Sequence, residues 1–203
     1  NVQQLDRLNL EHSISANDAT HRLAVGTIFN VPIGRGRYIG KDMNPVLDGI
    51  VGGWGISAII TLQSGQPLAF ATAEQALTDG NQRPNITCSQ LKSGISYHQA
   101  ALNGTSVFNA NCFAFPGDEI PGNASRYISA TRSEGIHNTD LSLSKEFAIH
   151  ESMKLQVRGE FFNFTNTPRF AYPDTNVDSS TFGDITSTVN TPRHVQFGVR
   201  FEF

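Results

Sequence analysis

Arg193-His194-Val195-Gln196-Phe197-Gly198-Val199-Arg200-Phe201-Glu202-Phe203 is the stretch that decides the fold. Val195, Phe197, Val199, Phe201 and Phe203 alternate with His194, Gln196, Gly198, Arg200 and Glu202. A β-strand sends successive side chains to opposite faces, so this segment has one apolar face and one polar, charged face. A strand with lipid on one side and water on the other needs this division. The edge strand of a soluble sandwich satisfies it too, so the rest of the chain must decide.

Three more segments carry the same signal, and a fourth reads as a strand by composition. In residues 21–31, Leu23, Val25, Thr27, Phe29 and Val31 oppose Arg22, Ala24, Gly26, Ile28 and Asn30. Residues 54–63 are rich in β-branched side chains and also read as a strand. In residues 138–147, Thr139, Leu141, Leu143, Lys145 and Phe147 oppose Asn138, Asp140, Ser142, Ser144 and Glu146. Residues 153–161 set Met153, Leu155, Val157, Gly159 and Phe161 against Lys154, Gln156, Arg158 and Glu160. Each segment is about ten residues long, the length of a tilted strand crossing the hydrocarbon layer.

The connections differ in length. Residues 148–152 make a tight turn, whereas 69–135 and 163–192 are long, polar and without a sustained period. Turn signals punctuate the first of these, among them Asp79-Gly80-Asn81 and Pro121-Gly122-Asn123. Outer-membrane barrels combine short periplasmic turns with long outer loops; a sandwich turns every 8–12 residues or so and lacks this asymmetry. The connection 32–53 is the exception, long on the side where short turns belong, with a helical turn expected over 44–47.

The polar faces fit an aqueous interior. Arg158, Glu160, Arg200 and Glu202 fall on the charged side of the last two strands, where neighbours predict a cross-strand charge ladder facing the lumen. Phe29, Trp54, Phe147 and Phe203 at one level, and Phe161 and Phe164 at the other, would form interfacial girdles. Phe162 breaks the pattern, because it falls on the lumen side. Five crossings cannot close a barrel, and an open edge in lipid leaves amides unpaired. The chain, which begins with Asn1, is therefore expected to be the carboxy-terminal piece of a larger barrel.

The bulk numbers agree. Charged residues are 16 % of the 203, below the usual quarter, while Gly (18) and Phe (14) are plentiful. The net charge of −3 offers no basic field for nucleic acid. Mean hydropathy is −0.25, and the longest apolar stretch, 50–62, is interrupted by Gly52, Gly53, Gly55 and Ser57. It is too short for a membrane helix.

Cys88 and Cys112 are the only cysteines, and both lie in polar, loop-like sequence. They are expected to pair as a disulfide, which places the chain in an oxidising compartment. No catalytic constellation appears. Gly34-Arg35-Gly36 is not followed by a glycine at dinucleotide spacing, and the six histidines show no metal-ligand spacing. Asp174, Asp178 and Asp184 match no calcium-loop pattern. Neither an enzymatic activity nor a cofactor is expected.

Several motifs add a family likeness. They are His21-Arg22, Leu47-Asp48-Gly49 with Gly52-Gly53-Trp54, Ser64-Gly65-Gln66-Pro67-Leu68, and Arg83-Pro84-Asn85. Further on come Asn138-Thr139-Asp140-Leu141-Ser142-Leu143-Ser144-Lys145, Leu155-Gln156-Val157-Arg158-Gly159-Glu160-Phe161-Phe162-Asn163, Phe182-Gly183 and the stretch from Gln196 to Phe203. With these the sequence resembles the carboxy-terminal β-barrel region of TonB-dependent outer-membrane receptors, in the branch with an amino-terminal carboxypeptidase-regulatory-like domain.

The resemblance implies an all-β fold of antiparallel up-and-down strands, with long extracellular loops, in a barrel of about 22 strands. Residues 1–203 would be its carboxy-terminal portion, with an internal plug domain and the first strands upstream. It implies import of a nutrient across the outer membrane of a Gram-negative-type bacterium, driven by the TonB complex through that upstream part. Val195, Phe197, Val199, Phe201 and Phe203 would face outer-membrane lipid and carry the signal read by the barrel-assembly machinery. The imported substrate is not named by any residue; its contacts are expected in 69–135 and 163–192. A passive porin-type barrel shares every feature but the family likeness. A soluble carbohydrate-binding β-sandwich accounts for the strands but not for the long connections.

Overall fold

The computed structural model describes residues 2–72, 77, 82–150 and 153–203. Its elements, in chain order, are β1 (Arg22–Asn30), α1 (Pro45–Val51), β2 (Trp54–Gln63), β3 (Pro67–Leu68), β4 (Asn85–Ile86), α2 (Tyr97–Asn103), β5 (Phe113–Ala114), β6 (Ile128–Arg132), β7 (Ile136–His150), β8 (Met153–Phe162) and β9 (His194–Glu202). Two single 3₁₀ segments, Leu5–Leu10 and Ala110–Cys112, complete them. The chain divides into two compact units.

One unit, Arg22–Leu62 with His137–Pro168 and Thr191–Phe203, is a sheet in the order β1-β2-β7-β8-β9. Neighbours run antiparallel. The Val31 amide donates to the Trp54 carbonyl (2.9 Å) and the Glu146 amide to the Gly53 carbonyl (2.9 Å), tying strand ends to strand starts. Gly53 sits at a φ of +71°, and a side chain there would strike the Glu146 carbonyl. That double demand selects glycine at the entry to β2.

Register keeps the two faces separate. Leu141 pairs with Phe161, Leu143 with Gly159 and Phe147 with Leu155. Leu155 pairs in turn with Phe201, Val157 with Val199, Gly159 with Phe197 and Phe161 with Val195. The opposite face sets Gln156 beside Arg200, Arg158 beside Gly198 and Glu160 beside Gln196. Among the described residues the sheet is open, with β1 and β9 as its edges. Its apolar row is uncovered: Phe197 is 78 % exposed and Val199 72 %. None of the described buried hydrophobic residues belongs to this unit. A sandwich would bury that row under a second sheet.

β2 lies where its β-branched composition predicts a strand and β9 where alternation does, but β7 runs beyond 138–147 at both ends. Its pairing with β8 continues through Ala148 and Lys154 to His150 and Met153, with an irregularity between Ala148 and His150. The turn expected over 148–152 partly involves residues 151 and 152, which lie outside the described residues.

The other unit joins Asn1–His21, Gln63–Ile136 and Arg169–Asn190. Here the structure corrects the expectation of structureless connections. These segments share a core of Leu68, Phe70, Leu91, Ala100, Val107, Phe108, Cys112, Phe113, Phe182 and Ile185. Four rings make its centre: the Phe70 centroid lies 4.7 Å from Phe113 and 5.0 Å from Phe108, and Phe113 lies 5.1 Å from Phe182. Edge and tilted contacts of this kind are favoured by the ring quadrupoles. α2 begins with a capping box, Ser96 accepting from the Gln99 amide (3.2 Å), and ends at Gly104 in the left-handed region. Gly183 has a φ of +80° and leaves no room for a side chain beside Ser106. Paired strands β3–β6 and β4–β5 tie the edges. The turn signal Asp79-Gly80-Asn81 lies outside the described residues.

Phe108→Ala should destabilise this unit by roughly 3–5 kcal/mol, the usual cost of removing a buried ring. Native-state hydrogen exchange should read that loss at the Val107 amide, which donates to Gly183 (3.1 Å), while the β8–β9 amides keep their protection.

Candidate functional site

The candidate site is the two-faced sheet, together with what the loop-built unit holds. On the polar face, the charges expected to form a cross-strand ladder do something else. Arg158 Nε lies 3.4 Å from Glu160, and Arg200 lies 2.9 Å from Glu202. Both pairs run along a strand, between residues two apart. The register explains the correction: Arg158 faces Gly198 and Glu160 faces Gln196, while Arg200 faces Gln156 and Glu202 faces Lys154. A small cavity of about 190 Å³ opens among Ser57, Asp140, Ser142, Arg158 and Glu160. Phe162, the misfit of the alternation, rests on His194 with ring centroids 5.2 Å apart.

The apolar face holds Val195, Phe197, Val199 and Phe201 in one row on β9. Phe201 and Phe203 stack at 6.1 Å. One cation interrupts the apolar alternation of β7. Lys145 is only 7 % exposed. Its ammonium lies 5.2 Å from the Trp54 ring centroid and 4.9 Å from that of Phe147, and it donates to the Gly52 carbonyl. Cation–π contacts and a carbonyl satisfy a charge that the apolar face would otherwise leave unpaired. Trp54 also donates its indole N–H to the Ile50 carbonyl (3.0 Å).

In the loop-built unit, Cys88 and Cys112 form a disulfide, with Cα atoms 5.0 Å apart. Such a closure stabilises by roughly 3 kcal/mol through the unfolded chain. Glu11 is the charge hub of the same unit. One oxygen accepts from Arg83 (2.5 Å) and from the Gln3 amide (3.0 Å), and the other pairs with Arg126 (3.0 Å). Arg83 also donates through Nε to Gln3 Oε1 (2.8 Å). A cavity of about 400 Å³ lies among Gln3, Phe70, Arg83, Arg126 and Tyr127. Pro84 is fully buried, and the Asn85 side chain accepts from the Asn123 amide (3.0 Å), so Arg83-Pro84-Asn85 acts here as a structural clasp.

Burial is the largest influence on Glu11 and pulls its pKa up. The Gln3 amide, the Arg83 hydrogen bond and the two guanidinium charges together outweigh it and hold the carboxyl below its ordinary value. Asp174 is drawn up by burial but carried lower overall by hydrogen bonds from Ser179, Asn176 and Thr181. Its donors come from the protein itself. Among the described residues there is no group of three His, Cys, Asp or Glu side chains able to hold a metal ion, and no helix is long and apolar enough to cross a membrane.

A barrel wall needs what this sheet displays: an apolar face across β7, β8 and β9, a charged face opposite it and strands of nine residues or more. Residues 1–196 match a protein family described as "Outer membrane beta barrel domain". The chain belongs to that family. It has no match among the curated proteins or among the solved structures. Family membership places this outer membrane β-barrel domain in the outer membrane.

Sequence reasoning missed Lys145 as a feature, although a lone lysine on an apolar alternation near a tryptophan is a usable signal. The Glu11–Arg83–Arg126 cluster carries no such signal, because its members are distant in sequence and lie in aperiodic stretches.

Glu11 gives a pH prediction. A depressed carboxyl contributes stability in full above the ordinary glutamate value of 4.5, and that stability is lost as pH falls through the lower folded value. Proteolysis of the 1–21 segment should therefore accelerate as pH drops below about 4.5 in the native domain. Glu11→Gln should accelerate it already at pH 7 and flatten the pH dependence. An unchanged pH profile in the variant would remove Glu11 from this role.

Proposed function

We propose that this outer membrane β-barrel domain forms the closing wall of a TonB-dependent receptor that imports a nutrient. The observation that carries a membrane wall is the apolar row from Val195 to Phe201, exposed and without a covering layer in its own unit. Burying a single such side chain contributes about 1.5–3 kcal/mol, so a whole uncovered row needs hydrocarbon. The two free edges, β1 and β9, support a part of a larger barrel, since a lipid-exposed edge leaves its amides unpaired. In that barrel Val195, Phe197, Val199, Phe201 and Phe203 face lipid and present the terminal strand to the assembly machinery. Arg158, Glu160, Arg200 and Glu202 face the lumen.

Active transport rests on the receptor-like motifs, from Leu47-Asp48-Gly49 to the Leu155–Asn163 stretch. The folded, disulfide-closed unit built from long connections supports a substrate-collecting outer surface, richer than the loops an open pore requires. Coupling to TonB falls to a part of the receptor outside residues 1–203. The charged face suits a passive porin equally well, and one measurement separates the two.

The intact gene product is reconstituted in a planar lipid bilayer. A plugged receptor should give no steady conductance until urea unfolds its plug, whereas a passive porin would conduct at once and ohmically. In the same protein Val199→Arg should cost roughly 1–3 kcal/mol of barrel stability, between the values for the bilayer midplane and for its interface. Val199→Arg folding as stably as the parent would argue against a lipid-facing β9.

A further inference from the structure

The connection between β1 and β2 is anomalous. It belongs to the end of the sheet where His150 pairs with Met153, yet it spans residues 32–53 and contains α1. It is also ordered from within. The Asn44 side chain accepts from the Val46 amide (2.9 Å), with Pro45 at the first helical position. The Asp48 carboxylate accepts from the Arg35 amide (2.7 Å), and Ile39 donates to the Pro32 carbonyl (2.9 Å). This is a folded structure, and it exposes grease. Val46 is 75 % exposed, Ile50 64 % and Tyr38 92 %, with Leu47 and Ile39 near half. Val46, Leu47 and Ile50 are spaced to share one side of α1.

Two side chains show on which side of the sheet α1 is held. Trp54 donates to the Ile50 carbonyl, and Lys145 donates to the Gly52 carbonyl. Lys145 shares the apolar face with Leu143 and Phe147, and its ammonium meets the Trp54 ring. The carboxy-terminal end of α1 is thus fastened from the apolar face of the sheet, and not from its charged face. The same connection carries exposed Arg35, Arg37 and Lys41, with Asp42 the one acid besides the internally bonded Asp48.

We propose that the β1–β2 connection is an interfacial membrane anchor. α1 lies in the plane of the phospholipid leaflet beside the apolar face, with Val46, Leu47 and Ile50 at the boundary of headgroups and acyl chains. Arg35, Arg37 and Lys41 meet the lipid phosphates. Lys145, held between Trp54 and Phe147, marks the level at which the strand leaves hydrocarbon. An amphipathic segment of this kind sinks about 5–10 Å into the boundary. Tryptophan and lysine are the residues that suit such a depth, each with an apolar body and a polar tip. The occupant is lipid because α1 is fastened from the apolar face of the sheet, its connection carries cations suited to phosphate, and the chain belongs to an outer-membrane family. The inference rests on the reading of that face as lipid-facing.

The test uses single cysteines at Val46 and Ile50, each labelled with an environment-sensitive fluorophore in the intact protein. Both positions are exposed, and labelling without reductant spares the Cys88–Cys112 bridge. The protein is reconstituted in phospholipid vesicles brominated near the top of the acyl chain. Emission at Val46 and Ile50 should fall clearly below that in unbrominated vesicles, because a segment seated about 5–10 Å into the boundary brings both labels beside the bromines. A third label at Val199 reports on the sheet face itself. Quenching at Val199 without quenching at Val46 and Ile50 would overturn the anchor and leave the barrel wall standing; it would mean that water, a second copy or another protein covers α1. Loss of quenching at all three would overturn both.

Discussion

The pairing of β8 with β9 is the constraint on which the rest depends. Val157 meets Val199 and Gly159 meets Phe197, so apolar side chains stay together across the interstrand boundary. The side-chain period of a strand is two, and a slip of one residue would turn every phenylalanine of β9 to the charged face. The same register brings Leu155 under Phe201 on one side and opposite Phe147 on the other. One face therefore stays apolar across three strands, and no single strand could make a wall by itself.

The second unit obeys different physics. Its connections have no periodicity to supply a sheet face, so it buries isolated aromatic residues from distant segments instead. Phe70, Phe108, Phe113 and Phe182 come from three stretches of chain and meet in one cluster. The Cys88–Cys112 bridge closes one loop of this unit, and the Glu11–Arg83–Arg126 hub ties its amino-terminal segment to two later ones. A long loop with its own core has already lost the conformational freedom that a flexible one would lose on meeting a ligand.

Much of the sheet was legible because alternation reports directly that a strand has two unlike faces. Residues 54–63 and the final apolar row needed no tertiary information. What escaped depended on register or on distance. The charges of Arg158, Glu160, Arg200 and Glu202 were assigned to one face, yet they pair along the strands, with Gly198, Gln196 and Gln156 opposite the first three and Lys154 opposite Glu202. Lys145 sat in plain view on the apolar face, but its role needed Gly52 and Trp54, more than ninety residues earlier in the chain. The core of the loop-built unit left no trace in any local window, since its members are spaced without period.

The central claim is that lipid covers one face of this sheet and water the other. Spin labels placed one at a time along residues 195–202, in the intact protein within outer-membrane vesicles, test it most directly. Collision with oxygen should dominate at Val195, Phe197, Val199 and Phe201, and collision with a water-soluble nickel chelate at Gln196, Gly198, Arg200 and Glu202, giving a period of two. Uniform access by the nickel chelate, or no period at all, would contradict it.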